Sequence, residues 1–297
     1  MKPSPRCYAP ADYGRVSRFL IEHFLPGNRD GNWLQPEWEY MHTHPNLDEP
    51  SLTRIGVWEQ DGNIVGVANY ESTLGEAFFQ VHPGHAGLRP SMLEYAEARL
   101  CETLPDGGRR LRVYVNDFDQ DFTRLVGSRG YAVADDASRP LSGLIIPAHL
   151  PRSDLPPGFR LKSLADDNDL ARVHRVLWRG FNHEGEPPDE GLEGRRKMQS
   201  GPTFRKDLTM VVEAPSGDFA SFCGLWFEAV NRFAYVEPVA TDPAYRRMGL
   251  AQAALWEGLR RCAALGATEA FVGSEQPLYR TLGFSRLYET VCWERRL

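Results

Sequence analysis

The sequence predicts an α/β fold, a mixed β-sheet packed with helices, and predicts it twice along one chain. The 297 residues are 42% hydrophobic and 25% charged, a composition that can bury the cores of such domains. Segments with the periodicity of helices and of strands are interspersed, an order that favours a sheet covered by helices over a helical bundle or a sandwich. The same order recurs in the second half of the chain, which indicates an internal repeat.

A proline-rich segment near the midpoint separates the two repeats. Residues 146–158 include Pro147, Pro151, Pro156 and Pro157. Proline has no backbone N–H and disfavours helix in the residue before it, so we expect an extended connector here. The sequence therefore predicts two tandem domains, residues 1–150 and 151–297.

Each half has the order helix, strand, strand, strand, helix, strand, helix, strand. The first two strands form a hairpin, because apolar segments flank the turns Gln60-Asp61-Gly62-Asn63 and Pro215-Ser216-Gly217-Asp218. In the first half the predicted segments are residues 13–24, 55–58, 64–68, 77–82 and 111–115, followed by Gly130-Tyr131. In the second half they are residues 170–181, 208–213, 219–227, 233–240 and 268–272, followed by Gly283-Phe284.

Charge and cysteine usage exclude several classes of protein. The net charge of −6 and the pI near 5.8 argue against a general nucleic-acid binder or a membrane-surface protein. Five scattered cysteines without a CxxC fit neither a disulfide framework nor a zinc site, and the scattered histidines predict no metal. The beginning of the chain lacks the apolar run of a signal peptide, and the longest apolar stretch, residues 219–227, is too short to span a bilayer. We expect a cytoplasmic protein.

The most informative segment is a strand that leads through a turn into a helix. The strand is predicted at residues 233–240, and the helix should begin near Gly249. Small residues at Gly249 and Ala251 leave the first amides of this helix sterically open, and these amides have no partner within the helix. The helix dipole adds positive potential there, and Arg246 and Arg247 add full charges. The segment therefore suits a diphosphate.

The same segment resembles the acyl-CoA signature of the GNAT superfamily of N-acyltransferases. The resemblance lies in the run Val239-Ala240-Thr241-Asp242-Pro243-Ala244-Tyr245-Arg246-Arg247-Met248-Gly249-Leu250-Ala251. The signature is Gln or Arg, two residues, Gly, one residue, then Gly or Ala, which here falls on Arg246, Gly249 and Ala251. Leu278-Tyr279 and Gly283-Phe284 resemble the closing segment of the family. The resemblance is specific over residues 233–297 and architectural elsewhere, and it implies two tandem GNAT-like domains.

The resemblance implies a co-substrate and a reaction. The pyrophosphate of acetyl-CoA would bind the amides of Arg247, Met248, Gly249, Leu250 and Ala251. The pantetheine arm would pair with the strand formed by Val239, Ala240 and Thr241, as another strand would. The acetyl group would pass, by direct attack in a ternary complex, to a primary amine of a small molecule or peptide. No nucleic-acid or membrane partner is expected.

Such a transfer needs an acid for the leaving thiolate, a base for the amine and a donor for the oxyanion. Tyr279 is the candidate acid, because a phenol with a reference pKa of about 10 stays protonated at neutral pH; the alternative is an aromatic ring that only packs the last helix on the sheet. Glu237 is the candidate base, because it precedes Pro238, where a bulge would open the sheet; the alternative is a solvated carboxylate. The amide of Val239 is the candidate oxyanion donor.

The first half keeps the order of elements but loses the signature. Its three corresponding positions hold Ala86, Arg89 and Ser91, Pro90 removes an amide, and Val126 stands at the place of the candidate acid. We therefore expect one acyl-CoA per chain.

The acceptor is poorly specified by the sequence. The acidic residues 180–190 would suit a cationic amine or form a solvated loop. Two other functions stay open: a non-catalytic acyl-CoA-binding or sensing module, and a tandem acetyltransferase similar to the mycothiol synthases.

Overall fold

Contacts between residues divide the chain into two units. A computed structural model describes residues 3–134, 137–151, 154–188 and 191–297, and the predicted connector residues 152 and 153 and acidic residues 189 and 190 lie outside this part. The first unit comprises Met1–His42, Asn46–Leu141 and Arg286–Leu297, and the second comprises Thr43–Pro45 and Ser142–Ser285. The last segment of the chain therefore packs with the first unit. The boundary predicted between residues 150 and 151 stays a prediction.

The first unit follows the order expected for the first repeat, with short additional strands. Its helices are α1 (Tyr13–His23), α2 (Gln35–Thr43), α3 (Arg89–Arg99) and α4 (Gln120–Ser128). Its strands are β1 (Pro5–Cys7), β2 (Gly56–Gln60), β3 (Asn63–Asn69), β4 (Glu76–Val81), β5 (Glu102–Thr103), β6 (Arg109–Asn116) and β7 (Ala132–Val133), while β8 (Arg139–Ile145) passes into the second unit. The predicted hairpin is formed by β2 and β3, with Asp61 and Gly62 at positive φ between them.

The second unit repeats this order. Its helices are α5 (Leu170–Gly180), α6 (Gly191–Met198), α7 (Leu250–Ala264) and α8 (Pro277–Thr281). Its strands are β9 (Arg160–Ser163), β10 (Met210–Glu213), β11 (Phe219–Glu228), β12 (Phe233–Thr241) and β13 (Glu269–Val272), and β14 (Ser285–Arg296) follows. No helix in the described ranges is long and apolar enough to cross a membrane.

Each unit contains a mixed sheet with one parallel pair. In the first unit the strand order is β1-β2-β3-β4-β6-β14, and β4 runs parallel to β6. In the second unit it is β8-β13-β12-β11-β10-β9, and β12 runs parallel to β13 across the connection through α7. Antiparallel hairpins combined with one parallel pair confirm the predicted α/β fold with a mixed sheet.

Two helices cover opposite faces of the second sheet. Along β10, Met210 and Val212 pack into a hydrophobic cluster with α7, whereas Val211 packs into a cluster with α5. This alternation follows from the two-residue period of side chains along a strand. Helix α7 buries Leu255 and Leu259 completely, as the apolar spacing predicts. Both helices approach β12, which carries the predicted site.

Candidate active site

In the second sheet, the pairing of the parallel strands β12 and β13 ends before β12 does. The space beside the unpaired part of β12 is called the gap. Strands β12 and β13 pair only through Phe233–Glu269, Ala234–Ala270 and Tyr235–Phe271. Beyond Tyr235, β12 continues to Thr241, whereas β13 ends at Val272. Among the residues that the structure describes, Val239, Ala240 and Thr241 therefore have no strand paired with them on the side away from β11. An unpaired strand edge exposes donors and acceptors that an extended ligand can take up.

The gap coincides with a bulge in β12. Cys223 pairs with Val239 and Leu225 pairs with Val236, so Glu237 and Pro238 together face the single residue Gly224. This two-against-one count confirms the bulge that the sequence predicted at this proline. The peptide between Glu237 and Pro238 is cis.

The alternation of backbone groups assigns particular amides to the unpaired edge. The N–H of Asp242 donates to the carbonyl of Ala220, 3.0 Å away, and therefore faces β11. Successive amides of a strand point in opposite directions, so the amides of Thr241 and Val239 point away from β11. The sequence predicted both residues as contacts of the pantetheine arm, and Val239 as the oxyanion donor. The strand places both amides on the side where such a ligand would lie.

The turn after β12 presents a run of free backbone donors. Gly249 caps α7 with φ of 77°, and Arg247 also has positive φ. Among the residues that the structure describes, the amides from Arg247 to Gln252 donate no hydrogen bond to the protein. A side chain at Gly249 would meet no atom within 4 Å, so the space in front of these amides is open. Consecutive unpartnered amides at a helix N-terminus form a site for an anion such as a pyrophosphate.

Arg246 lies differently from what the sequence alone suggested. Its Nη2 donates to the carbonyl of Gly180 at 2.9 Å and to Oδ1 of Asn182 at 2.7 Å, and its Nε lies 3.2 Å from the carbonyl of Thr241. The guanidinium thus connects the turn to the end of α5 and to the end of β12. The charge of Arg246 still lies beside the turn, but its hydrogen bonds are made to groups of the protein itself. Its direct contact with phosphate stays a prediction.

A second arginine fixes the same turn. Asp242 is buried and accepts from the amide of Ala244 at 2.9 Å, and Arg179 donates to both of its carboxylate oxygens. Gly180 is required next to this pair, because a Cβ there would lie 2.7 Å from the Cβ of Ala240. Helix α5 therefore packs directly on the strand that ends at the turn. Sequence reasoning missed the Arg179–Asp242 pair, since the partners lie 63 positions apart.

Tyr279 is buried in the hydrophobic core of the second unit. Helix α8 carries it into the cluster formed by α7 and the sheet, where its ring packs edge-on against Phe284 at 5.8 Å. Burial raises the pKa of its hydroxyl well above the ordinary value, and the negative charge of Glu237 adds to the rise. The hydroxyl has no hydrogen-bond partner among the described residues. A buried, protonated and unengaged phenol is available to donate to a ligand.

Glu237 lies in the bulge and is half-buried. Its charge contributes to the raised pKa values of both Tyr279 and Cys223, so the carboxylate lies within electrostatic range of the phenol. The thiol of Cys223 is completely buried, and burial raises its pKa, which makes it an unreactive core residue. The two candidate catalytic residues, Glu237 on β12 and Tyr279 on α8, are therefore close enough for the charge of one to raise the pKa of the other.

The predicted acceptor segment offers less negative charge to a ligand than its number of acidic residues suggests. Glu186 forms ion pairs with Arg175 at 3.0 Å and with Arg179 at 3.9 Å. A cavity of about 370 Å³ lies beside it, between Arg179, Asn182, His183, Gly185, Glu186 and Pro243. Because arginines neutralise Glu186, this part of the loop offers little net negative charge to a cationic amine. Within the described ranges, no group of three or more histidine, cysteine or carboxylate side chains is placed to hold a metal ion.

In the first unit, the corresponding strand edge is already occupied. The amide of His82 donates to Val65 O at 3.0 Å, as that of Asp242 does to Ala220 O, which confirms the correspondence of β4 and β12. The preceding residue, Val81, forms two hydrogen bonds with the side chain of Asn32. The N–H of Val81 donates to Oδ1 of Asn32 at 2.6 Å, and Nδ2 of Asn32 donates to the carbonyl of Val81 at 3.3 Å.

The loop that carries Asn32 is itself firmly held. Asn116 Nδ2 donates to Gly31 O at 2.8 Å, and the backbone N–H of Trp33 donates to Gln80 Oε1 at 2.7 Å. The first unit thus fills with its own chain the edge that the second unit leaves open at Thr241. Sequence reasoning missed this contact because nothing local distinguishes Asn32 from an ordinary loop residue.

The corresponding turn between β4 and α3, all of whose residues are described, does not form an open anion site. Arg89 stands where Gly249 stands in the second unit, and it is a regular helical residue of α3. Its guanidinium pairs with Asp119 at 2.5 Å and stacks over the ring of Phe122 at 4.9 Å. Together with Pro90, this side chain occupies the position of the open first turn, as the sequence predicted.

Comparisons with known proteins agree with the site. Residues 170–284 match the profile of the acetyltransferase (GNAT) family. The whole fold resembles a GCN5-related N-acetyltransferase from Sphaerobacter thermophilus, with a TM-score of 0.65 at 18% identity over 99% of this chain and 95% of the other. It also resembles a tandem GNAT protein from the clavulanic acid biosynthesis pathway, with a TM-score of 0.68 at 14% identity over 99% and 98% of the two chains.

A more distant structural relative binds a longer acyl group. This is the N-myristoyltransferase of Saccharomyces cerevisiae with bound myristoyl-CoA, with a TM-score of 0.56 at 13% identity over 99% of this chain and 78% of the other. No curated protein matches the chain by sequence. The sequence match and the fold together confirm the predicted resemblance: residues 170–284 match the GNAT acetyltransferase family, and the whole fold is similar to that of a tandem GNAT protein.

Proposed function

We propose that the second unit transfers an acetyl group from acetyl-CoA to a primary amine of a small molecule or peptide, within a ternary complex. The main support for this proposal is the arrangement of unpaired backbone groups in the second unit. The free amides from Arg247 to Gln252 continue directly into an unpaired strand edge at Thr241 and Val239, and that edge ends beside Glu237 and Tyr279. These three parts of the site match the three parts of acetyl-CoA in order. The amides suit the diphosphate, the strand edge suits the extended pantetheine arm, and the two side chains suit the thioester.

The residues of the gap have distinct roles in this proposal. The amide of Val239 donates to the thioester oxygen as negative charge develops on it. The carboxylate of Glu237 takes a proton, through water, from the ammonium group of the acceptor, and the lone pair of the resulting amine forms the C–N bond with the thioester carbon. As the C–S bond breaks, the Tyr279 hydroxyl donates its proton to the leaving sulfur. The nitrogen of the product still carries one proton too many for an amide, and this proton passes through water to the Tyr279 phenolate, which restores the acid. Burial raises the pKa of Tyr279. Burial in the same gap would also raise the pKa of the CoA thiol, so the difference in pKa between the phenol and the thiol would change less than either value.

The direct experiment is a survey of acceptors. The protein is incubated with acetyl-CoA and a panel of amines and thiols, free CoA is followed, and the products are identified by mass spectrometry. We expect an acceptor-dependent release of CoA and an acetylated amine. Binding of acetyl-CoA without release in any mixture would instead favour the sensing module, and acetylation of thiols alone would overturn the proposed amine acceptor.

Replacing the candidate base should make the rate depend more steeply on pH. Glu237→Gln keeps the shape of the side chain and removes its ability to take a proton. The rate should fall most at low pH, where little free amine is present, and recover in part as rising pH deprotonates the amine itself. The measurement is kcat/KM against pH. Glu257→Gln on α7, a half-buried carboxylate paired with Arg260 and Arg261, is the control and should keep the wild-type profile. An equal fall at every pH would assign Glu237 to acceptor binding.

The chain should bind one acyl-CoA, not two. The first unit lacks an open helix turn, and Asn32 occupies the strand edge at Val81. Losing several amide contacts with a charged diphosphate, at about 1.5–3 kcal/mol each, removes useful affinity. Isothermal titration with CoA should give a stoichiometry of one per chain, and two equivalent sites would contradict the assignment. Asn32→Ala, which frees the edge without restoring the turn, should leave the stoichiometry at one.

A further inference from the structure

The bulge that places Glu237 has no counterpart in the β3–β4 pairing of Gly66 to Asn69 with Val81 to Phe78. In the first unit, β3 and β4 pair without a shift up to Ala68 with Phe79 and Asn69 with Phe78, where β3 ends. In the second unit, the corresponding pair, Cys223 with Val239, is followed by the extra residue. The chain therefore contains the same strand pair twice, once regular and once bulged, and differences between the two copies indicate what holds the bulge.

The first difference is a missing side chain. The carbonyl oxygen of Glu237 lies 2.4 Å from the position that a Cβ of Gly224 would take, and its carbonyl carbon lies 3.1 Å from it. No side chain can occupy that position without moving the backbone of the bulge. The first unit has Asn69 at the corresponding place, and this buried side chain bonds to Tyr70 O at 3.1 Å and to Gln80 at 3.2 Å. The carbonyl can turn onto β11 only where the residue opposite is glycine.

The second difference is a hydrogen-bond donor. The indole N–H of Trp226 donates to the same carbonyl of Glu237 at 3.2 Å, and the Trp226 ring is buried against Phe204 at 5.8 Å. A carbonyl that leaves the ladder in a buried place needs such a partner. By position in the sequence, the first unit has Glu71 here, two residues beyond the end of β3, and a carboxylate cannot donate to a carbonyl.

We propose that Gly224 and Trp226 are positioning residues: they fix the carbonyl of Glu237, and through it the Glu237 carboxylate and the Val239 amide, in the geometry that acetyl transfer needs. The inference rests on the proposed function. It assigns no contact with substrate to either residue. Both act on the strand that carries the base and the oxyanion donor, and the cofactor turn at Gly249 lies at the other end of that strand.

The test removes the N–H and keeps the ring. Trp226 is replaced by 3-benzothienylalanine, which has sulfur in place of the indole N–H, and in a second protein by phenylalanine. We expect kcat to fall about tenfold, the size of one lost hydrogen bond, while the Kd of CoA and the KM of acetyl-CoA change less than about twofold. Gly224→Ala should lower kcat further with the same unchanged Kd. The amide resonance of Val239 should shift in all three proteins.

The control is a tryptophan bonded in the same way but remote from the gap. The indole N–H of Trp38 in the first unit donates to Tyr13 O at 3.3 Å, and the ring is completely buried. Trp38→Phe should lower the melting temperature and leave kcat unchanged. An unchanged kcat in the benzothienyl protein, or a joint loss of kcat and CoA affinity that follows the loss of melting temperature, would overturn the proposal. If the wild-type protein transfers no acetyl group, the proposed function fails, and an unmoved Val239 resonance then contradicts the positioning role on its own.

Discussion

Replacing Gly249 with aspartate should abolish CoA binding. Gly249 has a φ of 77°, which a side chain tolerates poorly, and it faces open space in front of the free amides of α7. An aspartate there would put a negative charge where the pyrophosphate binds and would disturb the amides that hold it. Loss of two charge-assisted hydrogen bonds, at about 1.5–3 kcal/mol each, weakens binding more than about a hundredfold. Isothermal titration with CoA measures the effect.

Gly217→Asp separates this effect from backbone strain. Gly217 lies in the β10–β11 hairpin of the same unit, with φ of 91° and no atom within 4 Å of the position that a Cβ would take. This variant should lose comparable stability and keep the wild-type affinity for CoA. A folded Gly249→Asp protein with unchanged affinity would mean that the cofactor binds elsewhere.

Removing the candidate acid should lower turnover about a hundredfold or more, with CoA affinity nearly intact. Tyr279→Phe deletes one hydroxyl that has no hydrogen-bond partner among the described residues, so the fold should lose little stability. Because burial raises the pKa of this hydroxyl, it stays protonated at alkaline pH, and the wild-type kcat should not decline between about pH 7 and pH 10 through loss of this acid. Steady-state kinetics and CoA titration give both quantities.

A second tyrosine shows what structural damage alone would do. Tyr131 in the first unit is buried, and its hydroxyl lies 3.1 Å from Glu97 Oε1. Tyr131→Phe should lower the melting temperature more than Tyr279→Phe does, and it should leave turnover unchanged. If Tyr279→Phe turns over at the wild-type rate, Tyr279 only packs the last helix and the thiolate leaves without an acid.

Local chemistry in the sequence was sufficient to predict part of the site. The glycine at 249, the small residue at 251 and the proline at 238 each impose a backbone requirement within a few residues, and the structure shows the open helix turn and the bulge where these residues predict them. The repeated order of strands and helices was predictable for the same reason, since hydrophobic periodicity is a local signal.

Features that depend on distant partners could not be predicted. Asn32 reaches the edge of β4, and Arg179 reaches Asp242, across separations that no periodicity encodes. The place of residues 286–297 in the first unit follows from the pairing of β14 with β6, in which Cys292 lies opposite Tyr114. Strand pairing between segments so far apart depends on the complete fold, and the final strand alone does not specify its neighbour.

The central claim is that acyl-CoA lies along the free amides of the second unit, and backbone resonances test it directly. Amide signals of the isotope-labelled protein are recorded while CoA is added. The largest changes in chemical shift should fall on the amides of residues 247–252, followed by those of Val239 and Thr241. The amide resonance of Val81 in the first unit should stay unchanged. Shifts concentrated at Val81 and around Asn32, or no shifts in residues 247–252 at saturating CoA, would contradict it.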